Sequence, residues 1–228
     1  MFSRVSVLHF EGHANRLKGL VEELNRVGVL AHPNFMLWKS NMSAHDSSLA
    51  MIRDFAKRGK RGDRMLVLEN DIRFLKDIGA VVETMTAAAQ LANDIVSLDP
   101  FIHLPCDEIQ AAKSVPFMAM TPNILGASCY VMSHFAAQVL SLSYERWYSL
   151  PPDHPRFLCH QDLTGAYATR SACVQLCYEG AMNERFGKMC QHDTYRNQGI
   201  DYSLYAVPEG YGYGCFIDAS GEVVRRIP

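Results

Sequence analysis

The spacing of hydrophobic residues changes repeatedly along the chain between a helical pattern and short, continuous apolar runs. The apolar runs predict strands at Arg4–Phe10, Phe35–Trp38, Arg64–Glu69, Asp94–Leu98, Val115–Met120, Ala127–Met132 and Cys173–Tyr178. The helical pattern predicts helices at Ala14–Val27, Ser43–Arg58, Asp77–Ala92, Ser133–Leu142 and Asp162–Arg170. A hairpin is predicted at Cys215–Arg226, turning near Ser220 and Gly221. Strands that alternate with helices predict an α/β fold built around a layered sheet.

One predicted strand, Arg64–Glu69, stands out because four apolar residues follow one another in its centre. A short continuous run of this kind is typical of a strand that is buried on both faces. The run ends directly in Glu69, Asn70 and Asp71. Because α/β proteins bind ligands at the carboxyl ends of their strands, these polar residues are the first candidates for a site.

The composition and charge of the chain indicate its class of protein but not its activity. The chain has 228 residues, of which 48% are hydrophobic and 20% charged, as expected for one sizeable globular core. The net charge of -2 means that the chain has no overall positive charge to attract nucleic acid. No apolar run approaches the roughly 20 residues that are needed to span a bilayer. The first ten residues lack the pattern of a secretory signal, and the seven cysteines are an odd number. We therefore expect a soluble, cytoplasmic protein with no nucleic-acid partner.

Four segments in a particular order resemble one enzyme family. They are the first strand and a helix containing Asn15–Leu17 that ends at Gly28, the helix Ala44–Lys57, the acidic stretch Val67–Ile72, and Gly126–Ser133 followed by Ala136 and Ala137. Together these segments resemble the family 25 glycosyltransferases, bacterial lipopolysaccharide-type enzymes with a GT-A fold. The resemblance implies a GT-A-like domain with a mixed, mostly parallel sheet flanked by helices. We expect it to occupy residues 1–228 as a single domain, in which residues 191–228 could form a loop and hairpin appendage.

The resemblance also implies an activity and a set of ligands. Family members transfer a sugar from a nucleotide-diphosphate donor, and here the acceptor would be a glycan or a lipid-linked molecule, which would allow peripheral membrane contact. Their acidic motif helps to hold a divalent metal, manganese or magnesium, so Asp71 is the expected metal ligand and Glu69 and Asn70 are expected near the donor. Asn70 stands where the family has an aspartate. It keeps an acceptor oxygen but loses a charge, which puts metal binding and catalysis in doubt.

Other residues are candidates for the remaining chemistry. Arg16 begins the helix after the first strand, and both arginines and helix N-termini suit phosphate oxygens. Asp162 is the expected general base because family members carry an aspartate at a comparable place, with Asp153 in reserve. Each of these three residues also has an interpretation without a catalytic or binding role. Arg16 could be a solvated arginine, Asp162 a helix cap and Asp153 a turn residue.

Several alternatives stay open. A zinc site would have to draw on Cys159, His160, Cys173, Cys177, Cys190 and His192, whose spacing favours scattered buried thiols instead. The tyrosines between Tyr195 and Tyr213 could stack on a sugar, although core packing is the simpler interpretation. The whole chain could be a non-catalytic GT-A-like module that binds a nucleotide or glycan, or a different α/β enzyme such as a nucleotidyltransferase. No Walker-type glycine loop or nucleophile elbow supports the last of these.

Overall fold

The computed structural model describes residues 2–10, 14–40, 44–102, 108–109, 113–121, 124–126, 128–143, 162–178 and 191–225. Within them the helices are α1 (Ala14–Arg26), α2 (Ala44–Arg58), α3 (Ile78–Gln90), α4 (His134–Ser143) and α5 (Gln191–Asn197). The strands up to residue 102 are β1 (Arg4–Phe10), β2 (Phe35–Ser40), β3 (Arg64–Glu69), β4 (Ile72–Phe74), β5 (Ile95–Ser97) and β6 (Phe101–Ile102). Those that follow are β7 (Phe117–Ala119), β8 (Ile124–Leu125), β9 (Cys129–Ser133), β10 (Gly165–Ala168), β11 (Cys173–Gln175), β12 (Cys215–Ile217) and β13 (Val223–Arg225).

The central sheet has seven strands in the order β2–β1–β3–β9–β5–β10–β7. β1 pairs in parallel with β2 and β3, and β5 pairs in parallel with β10. β9 runs antiparallel to both β3 and β5, so those two strands point in the same direction. β7 closes one edge antiparallel to β10. The predicted fold class, an α/β fold with a mixed, mostly parallel sheet flanked by helices, is confirmed.

The two faces of the sheet are buried by different helices. Leu66 and Leu68 of β3 belong to a core cluster with residues of α1 and α3, whereas Met65 and Val67 belong to a second cluster with residues of α2 and α4. All four side chains are fully buried, which confirms that the apolar run is a strand covered on both faces. Successive strand residues point to opposite faces, and the continuous run supplies apolar groups to both clusters.

Side-chain hydrogen bonds cap two of the helices and hold the short strand β4 in place. The Asp77 side chain caps α3 by accepting a hydrogen bond from the Ala80 amide, and Ser133 accepts one from Ala136 at the start of α4, as expected. Glu23 of α1 is buried, and its carboxylate accepts the amide N–H of Phe74 at 2.6 Å. This contact fixes the short strand β4, which lies just beyond the acidic residues, against α1.

Two predictions of secondary structure are wrong. Asp162–Arg170 is not a helix, because Gly165–Ala168 forms β10, which pairs with β5 and β7 in the central sheet. The apolar positions of this segment fit either pattern, and pairing with two neighbouring strands decides in favour of the strand. The segment after residue 190 was predicted as a long loop, yet it contains α5 and a 3-10 helix at Tyr202–Leu204. The hairpin is confirmed as β12 paired with β13.

The C-terminal segment packs through its aromatic residues. Buried side chains from β11, from the three residues that follow it and from residues 191–225 form a third core cluster, with members Val174, Leu176, Tyr178, Tyr195, Tyr202, Tyr205, Tyr211, Cys215 and Ile217. The rings of these tyrosines therefore pack in a core, as the simpler interpretation held. None of the helices described combines the length and hydropathy needed to cross a membrane.

Candidate active site

Polar residues meet where β3 and β5 end at the same edge of the central sheet. β3 ends at Glu69, and Asn70 and Asp71 connect it to β4. Asp99 lies two residues beyond the end of β5. Ser128 precedes the antiparallel strand β9 that runs between them, and its carbonyl accepts the Glu69 amide at 2.7 Å. Carboxyl groups from two strands are thus brought to one edge, where ligands bind in this class of fold.

The side chain of Gln175, at the end of β11, donates hydrogen bonds to the carboxylates of both Glu69 and Asp71. Its Nε2 donates to Glu69 Oε2 at 2.9 Å and to Asp71 Oδ2 at 3.2 Å. β11 pairs with β4 so that Gln175 lies opposite Ile72, and the Leu176 amide donates to the Asp71 carbonyl at 2.8 Å. Glu69 and Asp71 therefore lie side by side, as their spacing in the sequence predicts.

Asp71 is a buried carboxyl whose pKa is affected by several neighbouring groups. Burial raises the pKa of its carboxyl, while the charge of Arg16, the hydrogen bond from Gln175, a hydrogen bond from its own backbone and the charge of Arg73 oppose that increase. Its Oδ1 atom is buried and has no hydrogen-bond partner among the described residues. A buried carboxylate oxygen without a donor is costly, so this atom is poised to accept a cation or a donor group from a ligand.

Arg16 lies in the first turn of α1. Its guanidinium carbon lies 4.0 Å from the centroid of the Tyr178 ring, and its Nε is buried with no hydrogen-bond partner in the described part of the chain. Stacking on the ring holds the cation in place without neutralising it. The charge of Arg16 acts on the Asp71 carboxyl, so these two predicted site residues lie within electrostatic reach of each other.

Asn70 is paired with His9 of β1. Asn70 is 1% exposed and His9 is 5% exposed, and the Asn70 amide nitrogen lies 2.9 Å from His9 Nδ1. An aspartate at this position would add a third carboxylate beside Glu69 and Asp71, facing the same imidazole. The pairing gives a physical reason for the amide, which bonds to His9 without adding a further negative charge beside Glu69 and Asp71.

Asp99 is a buried carboxyl that the sequence predictions missed. It is 0% exposed, and its Oδ2 accepts hydrogen bonds from the Ser128 hydroxyl at 2.6 Å and from the Tyr195 hydroxyl at 2.8 Å. Burial raises the pKa of Asp99 to about 7, the two hydrogen bonds oppose the increase, and the charge of Asp71 adds to it. An acidic residue just after a predicted strand was the available signal, since the same pattern singled out Glu69. Gln175 and Tyr195 gave no such signal.

The structure does not bring Asp162 to this site. Asp162 is exposed and precedes β10, at the end of the sheet where β5 and β10 begin. The neighbouring Thr164 contacts Asp94, which precedes β5. Glu69, Asp71 and Asp99 follow the opposite ends of their strands. The reserve candidate, Asp153, lies outside the described residues.

The zinc alternative finds no support in the described part of the chain. The four cysteines described there, Cys129, Cys173, Cys177 and Cys215, are buried. Both ring nitrogens of His192 are engaged, Nδ1 with the Tyr202 hydroxyl at 2.8 Å and Nε2 with the Cys215 carbonyl at 2.7 Å. A histidine in this state has no nitrogen left for a metal. Cys159, His160 and Cys190 lie outside the described residues.

The divalent metal that the resemblance implies can be tested against the oxygen atoms present. No group of three or more His, Cys, Asp or Glu residues in the described ranges could hold a metal by itself. Glu69 and Asp71 nevertheless offer adjacent carboxylates, and Asp71 Oδ1 has no partner. Magnesium is usually bound through one or two carboxylates together with substrate phosphates and water, rather than by a complete protein cage. The pair fits that type of site.

Comparison with known proteins adds distant structural similarities. No protein-family model and no curated protein matches the chain. A glycosyltransferase involved in the glycosylation of the major capsid of PBCV-1 is 15% identical, with 86% of this chain and 97% of that chain covered and a TM-score of 0.45. The glycosyltransferase GlyE of Streptococcus pneumoniae TIGR4 is 9% identical, with 90% and 62% covered and a TM-score of 0.42. The protein A197 from STIV is 8% identical, with 99% and 95% covered and a TM-score of 0.44. Similarity this distant decides neither family nor activity, which depend on the site itself.

Proposed function

We propose that this protein transfers a sugar from a nucleotide-diphosphate donor to a glycan or lipid-linked acceptor. The donor diphosphate would bind at the edge of the sheet formed by Glu69, Asp71 and Arg16. The observation that carries the proposal is the buried Oδ1 of Asp71, which has no partner among the described residues and lies in a carboxylate pair beside an arginine. The resemblance of the acidic motif to that of the family 25 glycosyltransferases supports the choice of a nucleotide sugar as donor.

Sugar transfer requires that the negative charge of the leaving diphosphate be stabilised as the glycosidic bond breaks. A divalent cation, manganese or magnesium, would supply Lewis-acid stabilisation of that charge when bound to Asp71 and Glu69. Arg16, stacked on Tyr178 and without a partner at Nε in the described chain, would bind a phosphate oxygen directly. Asn70 would keep His9 in place through the hydrogen bond between them.

One observation favours a second candidate, a GT-A-like module that binds a nucleotide or glycan without turnover. An inverting transferase needs a general base near the acceptor hydroxyl. Asp162, the aspartate expected to serve, lies at the opposite end of the sheet strands from Asp71. A binding module needs no such group, and the two candidates differ in whether bound donor is consumed.

The first test is thermal stability against a panel of nucleotide-diphosphate sugars, with and without manganese. A ligand at about 100 times its Kd stabilises the folded state by roughly 2.7 kcal/mol, which corresponds to a rise in Tm of about 5–10 °C for a chain of this size. We expect such a rise with one donor, dependent on metal and lost in Asp71→Asn.

Asp77→Asn is the matched control, because it makes the same chemical change at an exposed helix cap where asparagine serves equally well. Release of nucleoside diphosphate from the donor that binds then separates the two candidates: release favours the transferase, and binding without release favours the module. A panel in which no donor shifts Tm with either metal would overturn both.

A further inference from the structure

We infer that Gln175 and Tyr195 are positioning residues of the proposed donor site: Tyr195 fixes the backbone of Gln175, whose side-chain amide holds the Glu69 and Asp71 carboxylates side by side. The inference rests on the proposed function, because it concerns how that site keeps its shape. It assigns part of the site to α5, more than a hundred residues after the acidic motif in the chain.

The first step is the geometry of the Gln175 amide. Two adjacent carboxylates repel each other, and the repulsion is strong where burial lowers the effective dielectric constant. One amide nitrogen carries two hydrogens, and Gln175 Nε2 lies 2.9 Å from an oxygen of Glu69 and 3.2 Å from an oxygen of Asp71. The amide can donate to both carboxylates at once, which holds them together while leaving Asp71 Oδ1 available.

The second step is the role of Tyr195. Its hydroxyl accepts the Gln175 backbone N–H at 2.8 Å and donates to Asp99 Oδ2 at 2.8 Å. Tyr195 is 0% exposed, so its ring is fixed by packing. Because an amide N–H can only donate, the Tyr195 hydroxyl accepts from Gln175 and keeps its own hydrogen available for Asp99 Oδ2.

The contacts close into a ring. Asp99 accepts from the Ser128 hydroxyl at 2.6 Å, and the Ser128 carbonyl accepts the Glu69 amide at 2.7 Å. The circuit therefore runs from Glu69 through Gln175, Tyr195, Asp99 and Ser128 back to Glu69. It joins the ends of β3, β11, α5 and β5 to the start of β9. A closed circuit of this kind leaves the carboxylates few other arrangements.

Tyr205 provides a matched comparison for Tyr195. It belongs to the same aromatic cluster, is 4% exposed, and donates its hydroxyl to the Ser171 carbonyl at 3.0 Å. Tyr205→Phe and Tyr195→Phe each remove one buried hydroxyl from the same core. Only Tyr195→Phe removes a hydroxyl that belongs to the ring of hydrogen bonds around Glu69 and Asp71.

The experiment measures the affinity for manganese, alone and with UDP, GDP, ADP or dTDP, in the wild type, Tyr195→Phe, Gln175→Met and Tyr205→Phe. Groups that orient metal ligands typically contribute tenfold to a hundredfold to metal affinity. We expect Tyr195→Phe and Gln175→Met to weaken the manganese-dependent binding at least tenfold, and Tyr205→Phe to leave it within twofold despite a similar loss of stability. Gln175 is only partly buried, so Gln175→Met tests the inference even if Tyr195→Phe fails to fold.

The outcomes separate this inference from the function on which it rests. Wild-type affinity in both Tyr195→Phe and Gln175→Met would overturn the positioning role while the donor site stood. Equal losses in Tyr195→Phe and Tyr205→Phe, with none in Gln175→Met, would show a general effect of core stability and overturn it as well. If the wild type binds neither manganese nor any of the diphosphates, the proposed donor site fails and the inference with it.

Discussion

Asp99→Asn should make the free energy of unfolding less dependent on pH between about pH 4 and pH 7. Asp99 is fully buried, and its pKa is raised to about 7 from the ordinary value of 3.8. Between these two values the folded state keeps the proton while the unfolded state releases it. The stabilisation is therefore complete below pH 3.8 and is lost as the pH rises through about 7. Asparagine resembles the protonated acid and cannot release a proton in this range.

The magnitude follows from the two pKa values. Relative to the fully protonated protein, ionisation of Asp99 lowers the free energy of unfolding by roughly 2 kcal/mol at pH 5 and by roughly 4 kcal/mol at pH 8. The wild type should thus lose roughly 2–3 kcal/mol over this interval that Asp99→Asn does not lose. Urea denaturation at pH 5, 6, 7 and 8 measures the difference, with Asp77→Asn as the control for an exposed carboxylate.

Parallel stability curves for the wild type and Asp99→Asn would refute the reasoning, because they would mean that Asp99 ionises alike in the folded and unfolded states. A difference of the opposite sign would mean that the hydrogen bonds from Ser128 and Tyr195 outweigh burial. A pH titration of the Asp99 carboxyl carbon by NMR checks the assignment directly, since it observes this group apart from all others.

Two further predictions concern other contacts. Glu23→Ala should lower the free energy of unfolding by about 1–3 kcal/mol in urea denaturation, because it leaves the buried Phe74 N–H without its acceptor, whereas Glu23→Gln keeps an oxygen there and should cost less. Arg16→Met should weaken binding of the nucleotide-diphosphate donor about tenfold or more, because it removes a charge-assisted contact of roughly 1.5–3 kcal/mol. Isothermal titration calorimetry measures this affinity. Full donor affinity in the variant would exclude Arg16 from the site.

The layered fold could be predicted from the sequence because its signals are local. The strands β1 and β3 have the predicted bounds, and the helix predicted at Ala14–Val27 differs from α1 by a single residue at its end. Continuous apolar runs and helical spacing report directly on which residues are buried. The short strands were harder, since β4 has only three residues and its strand character comes from pairing with β11. β10 was mistaken for a helix because its place between β5 and β7 depends on residues far away in the chain.

In the candidate site, too, residues with a local sequence signal could be predicted, and residues placed by distant contacts could not. Glu69, Asp71 and Arg16 could be proposed because each lies near the end or beginning of a predicted element. The structure places Glu69 beside Asp71, and the charge of Arg16 acts on Asp71. Asp99 carried the same signal. Gln175 could not be found, because an amide at the end of a short strand has no distinguishing pattern, and its partner Asp71 lies 104 residues earlier.

The position of Tyr195 changes the interpretation of the C-terminal segment. Residues 191–228 were expected to be a loop and hairpin that could be an appendage to the sheet. The Tyr195 hydroxyl, however, reaches both the Gln175 backbone and the Asp99 carboxyl at 2.8 Å. Both groups are buried or partly buried, so removal of α5 would leave a backbone donor and a carboxyl oxygen without one of their partners. Loss of this helix should therefore disturb the acidic edge of the sheet directly, in addition to exposing the aromatic cluster beneath it.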